Sequence, residues 1–214
     1  MATPKKQNKI RDYDRTRKRL LEVVGDILKD TGFTGLKTNN IARRLGKDRK
    51  LIRYYFQSLY NLEKEFIIEN DHWLSYFKQL ELPADLDAAQ IKAFFLEFTS
   101  GHFEFFMGSQ EMQKVMLWQL TEKNPLLKSI AACRETEAGR LLKAAEPYIS
   151  SAERFRAVLA LLTGGLYFLV LHAAENKTTT WGIDVNTEQD RILLHRTIAE
   201  LIDWAWQRFS PDDD

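Results

Sequence analysis

The stretch TNNIARRLGKDRKLIRYYF, Thr38 to Phe56, decides the reading of this 214-residue chain. Thr38 offers a helix N-cap, and Ile41, Ala42 and Leu45 recur at the three- and four-residue spacing that gives a short helix one apolar face. Gly46 ends that helix. Asp48 can cap a further helix running to Phe56. Two short helices joined by so tight a turn must cross steeply, which is the helix-turn-helix arrangement whose second helix fits the DNA major groove. On that second helix residues 49, 50, 53 and 54 share one face, while Leu51, Ile52, Tyr55 and Phe56 can pack against Ile41, Leu45 and Leu21.

Upstream, residues 1 to 12 lack apolar periodicity and carry Lys5, Lys6, Lys9 and Arg11, so they read as a flexible basic arm. From Asp14 the spacing of Leu20, Leu21, Val24, Ile27 and Leu28 predicts an amphipathic helix that Gly32 stops. Arg15, Arg17, Lys18 and Arg19 would fall in its first turns, an unfavourable place for cations that a nearby phosphate backbone would explain. The formal net charge of +1 hides a division. Up to Gln57 there are 16 Lys and Arg against 6 Asp and Glu; from Ser58 onward there are 15 against 24. A basic N-terminal module is the footprint of a polyanion binder, although charge alone equally fits a solvated face.

Downstream the pattern is helical throughout, with no alternating strand pattern and no internal repeat. A long helix is expected from Ser58 to Pro83, and others over Ala88 to Met107, Glu111 to Leu120, Asn124 to Ala145, Ala152 to Asn176 and Glu188 to Phe209. The fold class is all-α, with about nine helices, divided into a DNA-binding module over 1–57 and a larger helical domain over 58–214. Hydrophobic residues at 44% and charged residues at 29% are the balance of a soluble globular protein. A single cysteine, Cys133, excludes an intramolecular disulfide, and the N-terminus has no apolar leader, so a cytoplasmic location is expected. The run VLALLTGGLYFLVLHAA, Val158 to Ala174, is short for a membrane span and is interrupted by Thr163, Gly164, Gly165 and His172; no membrane is expected. Burial on two sides, against its own domain and a second subunit, accounts for it better.

Thr38 to Phe56, with its opening threonine, Ile-Ala pair, glycine turn, cap residue and aromatic end, resembles the DNA-binding signature of the TetR family of transcriptional regulators. The resemblance in motif spans about residues 14 to 66. Beyond that only helix number, helix length and the Asn124-Pro125-Leu126-Leu127 helix start are similar. Three positions depart from the family pattern: Arg53 stands where a tyrosine is usual, Lys50 where a small residue is common, and Leu59 where a lysine often touches phosphate. The resemblance implies a dimer formed through the last two helices, a pocket enclosed by the helices from Ser58 to Asn176, and a ligand that moves the recognition helices. It implies a repressor more often than an activator.

The candidate DNA contacts follow from chemistry. Arg49, Lys50 and Arg53 can meet base acceptors in the groove, and Thr38, Lys47, Tyr54 and the Tyr55 hydroxyl can meet phosphate. For the ligand, a pocket needs apolar walls with a few convergent polar groups. Trp73, Phe98, His102, Phe103, Phe106, Trp118, Gln119, Phe168 and His172 are the candidates, with Thr163 a further polar group, and ordinary core packing is the competing role for each. No cofactor is expected, and neither is a metal, since His102 and Glu104 are two apart and face different sides of a helix. No glycine-rich phosphate loop, Gly-x-Ser-x-Gly elbow or His-Glu-x-x-His motif suggests an enzyme. The alternative to a ligand-released repressor is the same fold with a C-terminal domain that serves only as a dimer scaffold or protein-interaction module.

Overall fold

The computed structural model describes residues 4–83 and 85–211. Ten α-helices and two single 3-10 turns make up its regular structure, with no strand among the described residues. They run in the order α1 (Pro4–Thr31), α2 (Thr38–Leu45), α3 (Lys50–Phe56), α4 (Leu59–Glu69), α5 (His72–Gln79), α6 (Ala88–Gly108), α7 (Gln110–Thr121), α8 (Pro125–Ala145), α9 (Ala152–Asn176) and α10 (Glu188–Phe209). The chain forms two compact units, one of Met1–Asp71 with Gln110–Ile130, the other of His72–Ser109 with Ala131–Asp214. The boundary expected after Gln57 falls inside the first unit.

In the first unit α1 packs on α2, α4 and α7. Leu20, Val23, Val24 and Ile27 of α1, Ile41 of α2, Ile52 and Phe56 of α3, and Leu62 and Phe66 of α4 are all buried. Three local expectations are corrected here. The helix begins at Pro4 and not near Asp14, so residues 4–12 are helical and not a loose arm. Arg15, Arg17, Lys18 and Arg19 therefore sit in the body of α1, away from the positive end of its dipole. The capping residue of α2 is Lys37, whose carbonyl accepts from Ile41 N at 3.0 Å, and Thr38 is the first helical residue. The long helix expected from Ser58 is two, broken at Asn70: its backbone N–H and its side-chain Nδ2 both donate to Phe66 O, at 3.2 and 2.8 Å. Such side-chain competition for a carbonyl is how asparagine ends helices. The first three residues of the expected basic arm and the acidic end, Asp212 to Asp214, lie outside the described residues.

The second unit is built on α6, α9 and α10, with α5 on α6. Asp87 and Gln90 form a reciprocal capping box that starts α6, and Thr187 caps α10 through Asp190 N. Phe95, Phe155 and Trp206 bring the three helices together, with ring centroids 5.0 and 5.7 Å apart for the Phe95–Phe155 and Phe155–Trp206 pairs. By length and composition α9 is the one helix among the described residues that could cross a membrane. Here Phe155, Leu166, Val170, Leu171 and Ala173 bury one side of it within the unit. Between α9 and α10, Thr180 and Ile183 exchange two backbone hydrogen bonds of 3.0 Å across a tight turn carrying the fully exposed Trp181.

Candidate functional site

The turn after α2 is set by Gly46, at φ 67° and ψ 30°. Lys47 N then donates back to Ala42 O at 3.1 Å, closing the helix, and Asp48 Oδ1 accepts from Lys50 N at 2.7 Å, opening the next. The result aims Lys47, Arg49, Lys50 and Arg53 into solvent, and none of the four forms an ion pair among the described residues. Three arginines of α1 differ, whereas its Arg11 and Lys18 also form no ion pair among the described residues. Arg15 pairs with Asp12 at 3.0 Å, Arg19 with Glu22 at 3.0 Å, and Arg17 with Glu65 and Glu69 of α4. Arg44 is likewise tied to Asp30. Lys47, Arg49, Lys50 and Arg53 thus leave four unengaged positive charges on and just before α3.

Tyr54 is 67% exposed and meets Tyr55 edge-on at 5.0 Å. Tyr55 is half-buried and packs on Tyr13 of α1 at 4.6 Å, while Thr38 is half-buried at the start of α2. Tyr13 was not singled out from sequence. Its signal is helical spacing: it lies one turn before Arg17, whose guanidinium sits 5.5 Å over the Phe56 ring. Two adjacent turns of α1 thus brace the C-terminal end of α3, through Tyr55 and Phe56.

A cavity of about 440 Å³ lies in the second unit, walled by α5, α6, α8 and α9. Of the nine ligand candidates, Trp73 and Phe98 line it, joined by Phe77 and Phe95. Thr99, Glu135, Arg156, Thr163 and Tyr167 supply its polar groups. His102 is buried and bonded to two lining residues. Trp73 Nε1 donates to its Nε2 at 3.1 Å, and the Tyr167 hydroxyl lies 2.8 Å from the same atom. An indole nitrogen can only donate, so Nε2 carries a lone pair and the tyrosine hydroxyl donates to it as well. The imidazole hydrogen is then on Nδ1, which is buried without a partner. Burial, reinforced by His72 and Arg134, pushes the His102 pKa down to about 3, so the ring is neutral.

The remaining candidates do not line this cavity. Phe103 is buried against His195, with centroids 5.1 Å apart, and Phe106 packs on Tyr167 at 4.8 Å. Trp118 stacks on Phe33 at 5.4 Å within the first unit, where Gln119 also lies. Phe168 is 56% exposed and stacks on His172, which is bonded to Asn176 and Thr178. Glu135, Arg156 and Tyr167 were missed because nothing in their spacing marks which side of a helix faces a void.

A second hollow of about 510 Å³, almost wholly apolar, runs between α9 and α10. Leu161, Leu162, Leu169, Leu201 and Trp204 line it. Leu161 is 77% exposed and Trp204 52%, so large apolar side chains face outward on two adjacent helices.

This is an all-α architecture with a helix-turn-helix at its N-terminus and a larger helical unit after it. The chain has the fold of TetR-family transcriptional regulators. A TetR regulator from Agrobacterium tumefaciens superposes with a TM-score of 0.61 at 13% identity, over 92% of this chain and 94% of that one. SmeT, solved as a complex with triclosan, gives 0.61 at 15% identity over 93% of each chain. NalD, the secondary repressor of the MexAB-OprM multidrug efflux pump in Pseudomonas aeruginosa, gives 0.58 at 12% identity over 95% and 100%. At the level of sequence no family model matches, and no curated protein matches significantly.

Proposed function

We propose that this chain is a cytoplasmic, homodimeric transcriptional regulator, a repressor that binds palindromic operator DNA and is released by a small hydrophobic or aromatic ligand. Residues 1–57 bind DNA; residues 58–214 sense the ligand and dimerise. The observation that carries the reading is the cluster of outward cations on and before α3, placed by the left-handed Gly46 and paired with no carboxylate among the described residues. Arg49, Lys50 and Arg53 read base edges, and Thr38, Lys47, Tyr54 and Tyr55 hold phosphate. The exposed leucines and Trp204 of α9 and α10 are the dimer face: two such pairs about a two-fold axis make a four-helix interface. That SmeT was solved with a small molecule and that NalD is a repressor support the ligand and the direction of regulation. The cavity favours a sensing domain over a bare scaffold, since its volume falls in the range of small-molecule sites.

Operator selection from random duplexes at several salt concentrations tests it. The expected product is a palindrome whose affinity falls steeply with salt. Replacing Arg49 and Arg53 together with alanine should abolish selection and lower affinity about tenfold or more per half-site, with the dimer intact. Unchanged affinity would overturn the assignment of the recognition helix.

A further inference from the structure

The hydrogen-bonding state of the cavity's own side chains restricts what it can hold. Its wall offers few free donors. Trp73 spends its single N–H on His102, the Tyr167 proton goes to the same imidazole, and the Thr99 hydroxyl donates to Phe95 O at 2.8 Å. Arg156, the one cation among the lining residues, faces Glu146 at 3.9 Å, and both it and Glu135 are exposed. Glu135, by contrast, forms no ion pair among the described residues. An anionic ligand would find its charge met only by a guanidinium that already has a carboxylate beside it. A cation would find an uncommitted carboxylate and aromatic rings, whose faces attract positive charge.

We propose that the cavity selects hydrophobic organic cations, with the apolar body against Trp73 and Phe98 and the positive group beside Glu135. The inference rests on the reading of this cavity as the effector site, and the test separates the two. Three probes share one ring system and differ in charge: 2-naphthylmethylammonium, 2-naphthylmethanol and 2-naphthoate. Each is titrated calorimetrically into the full-length protein and into Glu135→Gln and Ala160→Trp variants, all checked for an unchanged thermal transition. Ala160 lines the void at an exposed position, so an indole there narrows its opening.

The ammonium should bind about fivefold tighter than the alcohol, and the alcohol tighter than the carboxylate. Glu135→Gln should remove the ammonium's advantage while leaving the alcohol within twofold, and Ala160→Trp should weaken all three. Equal or tighter binding of the naphthoate would overturn the charge selectivity, and an ammonium preference that survives Glu135→Gln would overturn its assignment to Glu135, each leaving an effector cavity in place. No binding of any probe at millimolar concentration, or binding indifferent to Ala160→Trp, would overturn the effector site and the selectivity with it.

Discussion

Lowering the pH from 8 to 5 should destabilise the protein through His102, by an amount that its surroundings set. In an unfolded chain an imidazole takes up its proton near pH 6.5. In the fold, burial first and then the charges of His72 and Arg134 hold that uptake back to about pH 3. The folded pKa is depressed, so the unfolded state binds the extra proton as pH falls below 6.5, and the stability present at pH 8 is lost progressively between about 6.5 and 3. At pH 5 the interval already crossed is about 1.5 pH units, or about 2 kcal/mol. The atomic cause is visible: Nε2, the atom that would take the proton, already accepts from Trp73 and Tyr167, and a second proton would set it against the indole N–H, which can only donate, while the Tyr167 hydroxyl would have to turn and accept. Urea unfolding at pH 8 and pH 5, on the natural protein and on His102→Gln, isolates this contribution from other titrating groups. The glutamine oxygen can accept from the same partners and takes up no proton, so its loss between the two pH values should be smaller by about 2 kcal/mol. The same pH dependence in both proteins, or an imidazolium signal from His102 at pH 5 by NMR, would refute the reasoning.

Gly46→Ala should cost about 1 kcal/mol, the left-handed penalty less the entropy that alanine removes from the unfolded chain. A Cβ at Gly46 would meet nothing within 4 Å, so the cost is conformational, and Gly46→Asn should recover part of it in chemical denaturation. Gly35→Ala fails for a different reason: its Cβ would lie 2.0 Å from Thr31 Oγ1 and 2.9 Å from Ile27 Cγ2, costing about 1–3 kcal/mol. Adding Thr31→Ala should restore part of that stability; no restoration would place the cost elsewhere. Leu161→Arg with Trp204→Arg should yield a monomer by sedimentation with the helical circular dichroism intact, and a persistent dimer would move the interface off α9 and α10.

Much of this was legible in the residues. Ala152–Asn176 and Glu188–Phe209 are helices over the spans expected, because long apolar patterns are bounded by caps and polar turns that a sequence displays. The helix-turn-helix was legible for the same reason, its geometry being set by the single left-handed position at Gly46. The start of α1 was not: residues 4–12 carry no apolar stripe, so periodicity has nothing to detect. Nor was the break between α4 and α5, which depends on how the Asn70 side chain bonds a carbonyl one turn back. The ligand candidates show where pattern reading stops. Aromatic density located α5 and α6 as rich in large rings, but Phe168 and His172 share an outward side of α9, while Glu135 of α8 and Tyr167 of α9 complete the wall. Which side of a helix meets empty space is a property of three-dimensional register.

The two sides of α9 carry a consequence of their own. Leu159, Thr163 and Tyr167 look into the cavity, while the intervening Leu161, Leu162 and Leu169 belong to the apolar groove with α10. On the proposed reading a single helix is the wall of one compartment and the contact strip of the other, so occupancy of the first and association through the second would draw on the same set of backbone positions. Thermodynamic linkage makes any such influence mutual: whatever factor an effector applies to subunit association, association must return to effector affinity. Titrations carried out above and below the concentration at which the subunits separate would then give two different affinities, and their ratio would measure how stiffly this one helix transmits.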